Sequence, residues 1–238
     1  LGDDTLDGGT GTDTLSFADF AGTVGLTLTS TTGGVAVLDD GSSHVQQISN
    51  TECYIGGPGE DAVSGSAAVL NSLIAADRLQ DFDVITITGT GAADLTLPAG
   101  FSSGSTLKIF AGAGITSLNL DASALDVNVW ATGSSGDDTL STGTGTDKLM
   151  GLLGDDSLSG GEGDDTLKVR QGDQVQISVV SDQPLVLHLH GYDIETQVTP
   201  PAPALLSFKA SLAGRFPVHE HRHGPGNHRA VMFVEVHP

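Results

Sequence analysis

The chain has 238 residues and carries thirty acidic against nine basic side chains, a formal charge of −21. That balance argues against nucleic acid as a partner, because such binding rests on neutralising phosphates with Lys and Arg. A single cysteine, Cys53, rules out a disulfide framework and a cysteine metal cage, and no apolar run reaches the roughly eighteen residues a membrane span needs.

The first element is a repeat. GDDTLD opens the chain at Gly2, and GGTGTDTLS follows from Gly8 to Ser16. The segment Thr14 to Asp61 reads as a connection between repeat blocks, and the pattern returns as GGPGEDAVS from Gly56 to Ser64. An apolar periodicity predicts one helix, from Val69 to Leu79. Short β-rich runs come next: Val84–Thr88, Leu95–Leu97, Leu107–Phe110, Leu118–Leu120 and Val127–Trp130. Equivalent runs return about every twenty to twenty-two residues between Gly, Ser, Ala and Asp turns, which predicts the rungs of a β-solenoid.

From Gly133 to Lys168 a nine-residue unit occurs four times without a gap, as GSSGDDTLS, TGTGTDKLM, GLLGDDSLS and GGEGDDTLK. Each unit has Gly at its fourth position, Asp at its sixth and Leu at its eighth. Glycines permit a tight turn whose carbonyls point inward, and the Asp adds a carboxylate; hard cations such as Ca²⁺ take oxygen ligands of both kinds. The Leu begins a short strand aimed into a core. Two units make one coil, so side chains eighteen residues apart stack: Asp138 above Asp156 on one edge, Asp147 above Asp165 on the other. Leu140, Leu149, Leu158 and Leu167 fill the interior. A flexible Gly/Asp linker would not hold a Leu in phase through four units.

Residues 1–167 hold twenty-four acids and three bases (Arg78, Lys108, Lys148), while residues 168–238 hold six of each. The first part would repel itself when compact unless cations neutralise it. The repeats resemble the RTX (repeats-in-toxin) family, secreted bacterial proteins built on a calcium-filled parallel β-roll. The resemblance covers 133–168 most closely, then 1–16 and 56–64. It implies Ca²⁺ as cofactor, with Asp4, Asp13, Asp61, Asp138, Asp147, Asp156 and Asp165 as the carboxylate ligands. It also implies a secreted, extracellular protein, cell-surface associated in some members. RTX-like proteins commonly leave by type I secretion. The chain begins inside a repeat without Met and shows no signal peptide, so it is expected to be a processed product or a piece of something longer.

Composition changes at Val169: the glycine repeats stop, prolines become frequent, and seven of the eight histidines lie beyond this point. Runs at Gln174–Val180, Leu185–His190, Ala204–Ala210 and Val231–Val236 predict a small β-sandwich over 168–238. The order KVRQGDQVQISVVSD, PLVLHLHGYDIE, LLSFKASLAGRFPVHEHRHG, MFVEVHP resembles the cupredoxin family, in which a GD turn opens a strand, a His ends the third strand, and further copper ligands sit in the last loop. His188 and His190 share a face in strand geometry, as do His219, His221 and His223. The resemblance implies Cu²⁺ at His190, His221 and His223, with His188, His219 and His228 in reserve and Zn²⁺ as competitor. A blue-copper thiolate is lacking, because no Cys follows Cys53; Met232 reads as core.

The expected fold is therefore all-β, a parallel β-roll or β-solenoid over 1–167 followed by a cupredoxin-like β-sandwich over 168–238. HEHRH (His219–His223) has the letters of HExxH, but Pro217 argues against the helix that motif needs, and GFSSG (Gly100–Gly104) has the letters of GxSxG alone; neither fits as a catalytic constellation. The expectation is a non-enzymatic calcium-binding structural or surface-interaction protein of layer, sheath, fibre or adhesin type, self-assembling or bound to a cell surface. The alternatives are copper handling through the C-terminal domain, or a non-catalytic C-terminal fragment of a secreted RTX enzyme or toxin.

Overall fold

A computed structural model describes residues 4–20, 22–39, 43–57, 59–101, 104–179, 181, 183–221 and 230–238. Its centre is two facing stacks of parallel strands. One stack holds β1 (Ala62–Ser66), β2 (Val84–Thr88), β3 (Thr106–Ala111), β4 (Asn128–Thr132), β5 (Lys148–Met150) and β6 (Asp165–Arg170), each paired to the next. The other holds β7 (Gly91–Thr96), β8 (Ile115–Ala122), β9 (Thr139–Thr142), β10 (Ser157–Ser159) and β11 (Gln174–Val179). The chain alternates between stacks, so each pair of strands is one coil of a roll.

The register gives the coil length directly. Leu149 lies opposite Ala131 and Leu167, and Leu158 opposite Leu140, each step being eighteen residues. Upstream the step lengthens to 22 (Leu107 to Val129), as expected, and then to 24 (Ile85 to Ile109) and 25 (Leu95 to Leu120), somewhat beyond the expected rung. Alternate residues point inward, so Leu140, Leu149, Leu158 and Leu167 are fully buried, as are Ile85, Ile109 and Leu120. Each such burial stabilises the roll by about 1.5–3 kcal/mol.

One coil contains a helix in place of a strand. α1 (Ala67–Ala75) starts at Ser66, whose hydroxyl accepts from the Val69 N–H, and buries Leu70, Leu73 and Ile74. It begins and ends earlier than the sequence pattern suggested, because Asp77 adopts the left-handed conformation (φ 56°) and turns the chain into strand β12 (Leu79–Gln80).

The N-terminal copies of the repeat depart from the eighteen-residue coil. β13 (Asp4–Asp7) pairs in parallel with β14 (Ser43–Ser49), and β15 (Thr14–Ser16) with β16 (Cys53–Ile55), at offsets of 42 (Asp4 to Gln46) and 39 (Thr14 to Cys53). Between them β17 (Thr23–Ser30), β18 (Gly33–Asp39) and β14 form an antiparallel meander that joins the larger sheet through β1. The cause is local: no nonapeptide follows directly on Ser16, and the alternating Val24, Leu26 and Leu28 supply an ordinary hairpin with one buried face.

The remaining strands are β19 (Leu185–Leu189), β20 (Ile194–Val198), β21 (Ala204–Lys209), β22 (Gly214–His221) and β23 (Ala230–His237). The border expected at 167/168 falls inside β6. Both sheets continue through it, β6 pairing with β23 (Leu167 opposite Val234) and β11 with β21. β22 and β19 then extend the larger sheet antiparallel, and one hydrophobic cluster runs from Phe17 to Val236. The C-terminal strands thus cover the last rung of the roll, whose strand edges would otherwise stand open to another chain. The sequence pattern missed β20 and β22.

Candidate metal centres

The tight turns of the nonapeptides draw each sixth-position Asp under the backbone. Asp61, Asp138, Asp147, Asp156 and Asp165 are all at most 2 % exposed. A Cβ on Gly133, Gly151 or Gly160 would collide with the carboxylate of Asp138, Asp156 or Asp165 respectively, so those positions require glycine. The first oxygen of each carboxylate is used by the neighbouring coil. The Asp156 Oδ1 accepts from the Asp138 N–H at 3.0 Å, and the Asp165 Oδ1 accepts from the Asp147 N–H at 3.0 Å. Asp147 accepts from Val129 at 2.7 Å and Asp138 from Leu118 at 2.6 Å; Asp61 accepts from Val24 at 2.8 Å. The eighteen-residue stacking expected from the repeat is therefore a hydrogen-bonded ladder along each edge of the roll.

The second oxygen is different. Asp13, Asp147, Asp156 and Asp165 each hold a buried Oδ2 with no hydrogen-bond partner. An unpaired buried carboxylate oxygen carries a heavy desolvation cost, and its effect appears in the titration. Burial pushes Asp156 up to about 7, with the neighbouring Asp138, Asp173 and Asp137 charges adding to it. Burial pushes Asp165 up to about 7 in the same way, with Asp147 and Asp164 contributing. Asp61 and Asp147 are also raised by burial. Carbonyl oxygens crowd the same turns: that of Gly151 lies beside Asp138 against the Cα of Gly133, and those of Thr142 and Gly143 lie against Gly161. A carboxylate oxygen lacking a proton donor, set among carbonyls, fits a hard cation that takes oxygen ligands.

The other expected ligands are less complete. Asp13 is half-buried, and its N–H donates to Glu52 Oε2 at 3.0 Å. Asp4 lies in β13, and its side chain is outside the described residues. Two features escaped the sequence reading. Asp83 Oδ2 accepts from the Asp61 N–H at 3.1 Å, extending the ladder into a coil that has no recognisable repeat. A second column, Asp137 and Asp155, stands exposed beside the first, with the Asp155 N–H donating to Asp137 Oδ1 at 2.8 Å. The DD pairs of the repeat were its signal.

At the far end of the larger sheet the structure gathers three of the expected histidines. His188 and His190 lie two apart along the chain at the end of β19, and their rings stand 4.3 Å apart. His219, opposite His188 on β22, brings its Nδ1 to 2.9 Å from His190 Nε2. His188 Nε2 is also 3.4 Å from Asp193 Oδ1. The side chain of His221 and all of His223 and His228 lie outside the described residues. Among the described residues no three His, Cys, Asp or Glu side chains converge as a metal-holding group; the nitrogens of His190 and His219 face each other instead.

A parallel roll whose turns bury carboxylates among carbonyls defines a class, the calcium-binding β-roll. The family comparison agrees: the chain matches the RTX calcium-binding nonapeptide repeat, in four copies, over residues 1–24 and 132–167. These segments are RTX repeats and bind Ca²⁺; Gly56–Ser64 lies outside the match. A search of curated proteins found no match. No helix among the described residues is long and apolar enough to cross a membrane.

Proposed function

We propose that the protein is a secreted, non-catalytic structural or surface-interaction protein, of layer, sheath, fibre or adhesin type, whose roll folds on meeting external calcium. The observation that carries this reading is the set of buried, unpartnered Oδ2 atoms on Asp147, Asp156 and Asp165. Without a cation these carboxylates must protonate or expel the turn that buries them. When bound, Ca²⁺ supplies the missing positive charge and oxygen coordination. The ligands would be Asp61, Asp138, Asp147, Asp156 and Asp165 with turn carbonyls, joined by Asp13 and Asp4 near the N-terminus. The chain's own part is to hold each carboxylate in place through the N–H of the coil before it, so that neighbouring sites share a strand and fold together. RTX-repeat proteins are typically secreted, and millimolar calcium outside a cell suits a chain that must stay unfolded until export. Circular dichroism of the whole chain tests this: a largely disordered spectrum in chelator should turn β-rich in millimolar Ca²⁺. A fully β-rich spectrum in excess chelator at pH 7.5 would refute it.

A second reading, copper handling by a cupredoxin-like C-terminal region, is favoured by the contact of His188, His190 and His219. The Gly172–Asp173 turn before β11 and the place of His190 just after β19 also support it. With no thiolate, a Cu²⁺ form would lack an intense blue band. Copper titration of the calcium-loaded protein tests it; equal affinity in a His188/His190/His219 triple-Ala variant would dismiss the cluster as a copper or zinc site.

A further inference from the structure

The outer face of the larger sheet has a charge opposite to the rest of the molecule. Along β3, β4, β5 and β6 the residues that alternate with the buried core point outward, and the register lines up Lys108, Trp130 and Lys148 in one row. The Lys148 ammonium stands 3.9 Å from the centre of the Trp130 ring, and that of Lys108 stands 6.0 Å away. Lys168 and Arg170 follow on β6, and Arg215 lies 3.6 Å over the Phe233 ring on the next strands. Five of the chain's nine basic side chains therefore share this face. Among the described residues two carboxylates answer them closely: Glu60, 2.8 Å from Lys108, and Glu235, which meets Lys168 at 3.4 Å and Arg215 at 3.2 Å. The only tryptophan is 39 % exposed here, beside Phe110 at 38 %.

The turn after β5 breaks the repeat in the same place. Its sister units carry Ser134–Ser135, Gly143–Thr144 and Gly161–Glu162, but this one carries Leu152–Leu153. Leu152 takes the left-handed backbone (φ 82°), unfavourable for a branched side chain, and Leu153 is 45 % exposed. Neither leucine adds to the buried core. A strained, apolar turn beside a row of aromatic and cationic side chains has the composition of a protein interface, where Trp, Phe, Met and Arg are enriched.

The charge complement is present on the same chain. Asp137, Asp155 and Asp173 form a column on the turn edge, tied by the Asp155 N–H to Asp137 Oδ1 (2.8 Å) and the Gln174 N–H to Asp155 Oδ1 (3.0 Å). They advance one coil at a time, a strand spacing of about 4.8 Å, as do Lys108, Trp130 and Lys148 on the basic face. The two columns share a repeat distance because one roll builds both, so acid edge and basic face can meet in register along their length.

We infer that the Lys108–Trp130–Lys148 face docks the Asp137–Asp155–Asp173 edge of a second copy of this chain. Face and edge are different surfaces, so the contact is heterologous and builds an open array instead of a closed dimer. This deepens the structural reading above and rests on it.

Sedimentation velocity of the full chain in millimolar Ca²⁺, with circular dichroism on the same samples, tests it. The expected result is concentration-dependent association that weakens with salt. Trp130→Ala should weaken it by more than about tenfold, as a central aromatic anchor does. A Lys148→Glu/Lys168→Glu variant and an Asp137→Lys/Asp155→Lys variant should each fail to associate alone, and mixing them should restore association. A calcium-folded protein that stays monomeric overturns the inference, as does a Lys148→Glu/Lys168→Glu variant that associates like wild type. Capture of monomers by phosphatidylglycerol vesicles would assign the face to a lipid surface and overturn it as well. Loss of the calcium-induced fold itself would instead remove the structural reading on which the inference stands.

Discussion

The roll at 133–167 and the strands at 168–238 share two sheets and one core, yet they are held by different forces. The roll repeats a nine-residue turn, buries its carboxylates, and closes parallel strands of only three or four residues. The C-terminal strands run five to eight residues and pair mostly antiparallel. Among the described residues, none of their acids or bases is buried as the aspartates of the roll are. The first region buries carboxylate oxygens that have no partner; the second covers the strand edges that the last rung of the first would otherwise leave open.

The largest expected break in that comparison is in the leucine stack. Leu158→Ala in the roll and Leu206→Ala in β21 both empty fully buried sites, and each should cost about 2–5 kcal/mol in calcium. Chelator should erase the effect at Leu158, because the roll is then already unfolded, while a residual thermal transition still reports Leu206→Ala. Differential scanning calorimetry with and without chelator measures this, and equal effects in both conditions would merge the two regions into one cooperative unit.

A smaller effect concerns pH. Asp156 and Asp165 titrate near 7 in the fold without cation, well above the ordinary carboxylate value of about 3.9. A raised folded value means that the native state holds protons the unfolded chain has released. Their contribution is therefore fully present below about pH 4 and is lost as pH rises through about 7. The calcium-free protein should gain β-structure as pH falls from 7.5 to 5, whereas calcium affinity should weaken over the same interval through proton competition. A calcium-free spectrum indifferent to pH would break the argument.

The finest test is coupling along one edge. Asp138 and Asp156 share the hydrogen bond from the Asp138 N–H, so Asp138→Ala and Asp156→Ala should each lower calcium-linked stability, and the double variant should cost less than their sum by about 0.5–3 kcal/mol. Strict additivity in calcium titrations would deny that the coils act through shared sites.

The nonapeptide made the central coils readable because every instruction in them is local. Gly sets the turn, Asp the buried carboxylate and Leu the core, and a strict period of nine leaves one way to stack them. The strand at Val84–Thr88 was legible for a similar reason, a strict alternation between turn signals. The meander at 23–49 was not, since its pairing depends on which edge is free. β20 and β22 were missed because Tyr192, Glu195, Arg215 and Pro217 blur the alternation that marks a strand.

What the sequence determined by itself was the β-roll, its eighteen-residue coil, the stacked aspartates at its turns and the acidic excess. These follow from spacing, which neighbours in the chain enforce on one another. Tertiary structure alone decided that the C-terminal strands extend the roll's own sheets, and that Asp83 joins the aspartate ladder. It also decided that His188, His190 and His219 meet and that the basic side chains gather around Trp130 on one face. Those outcomes depend on which strand edges find each other across long stretches of chain, and a buried edge seeks hydrogen bonds wherever they are offered.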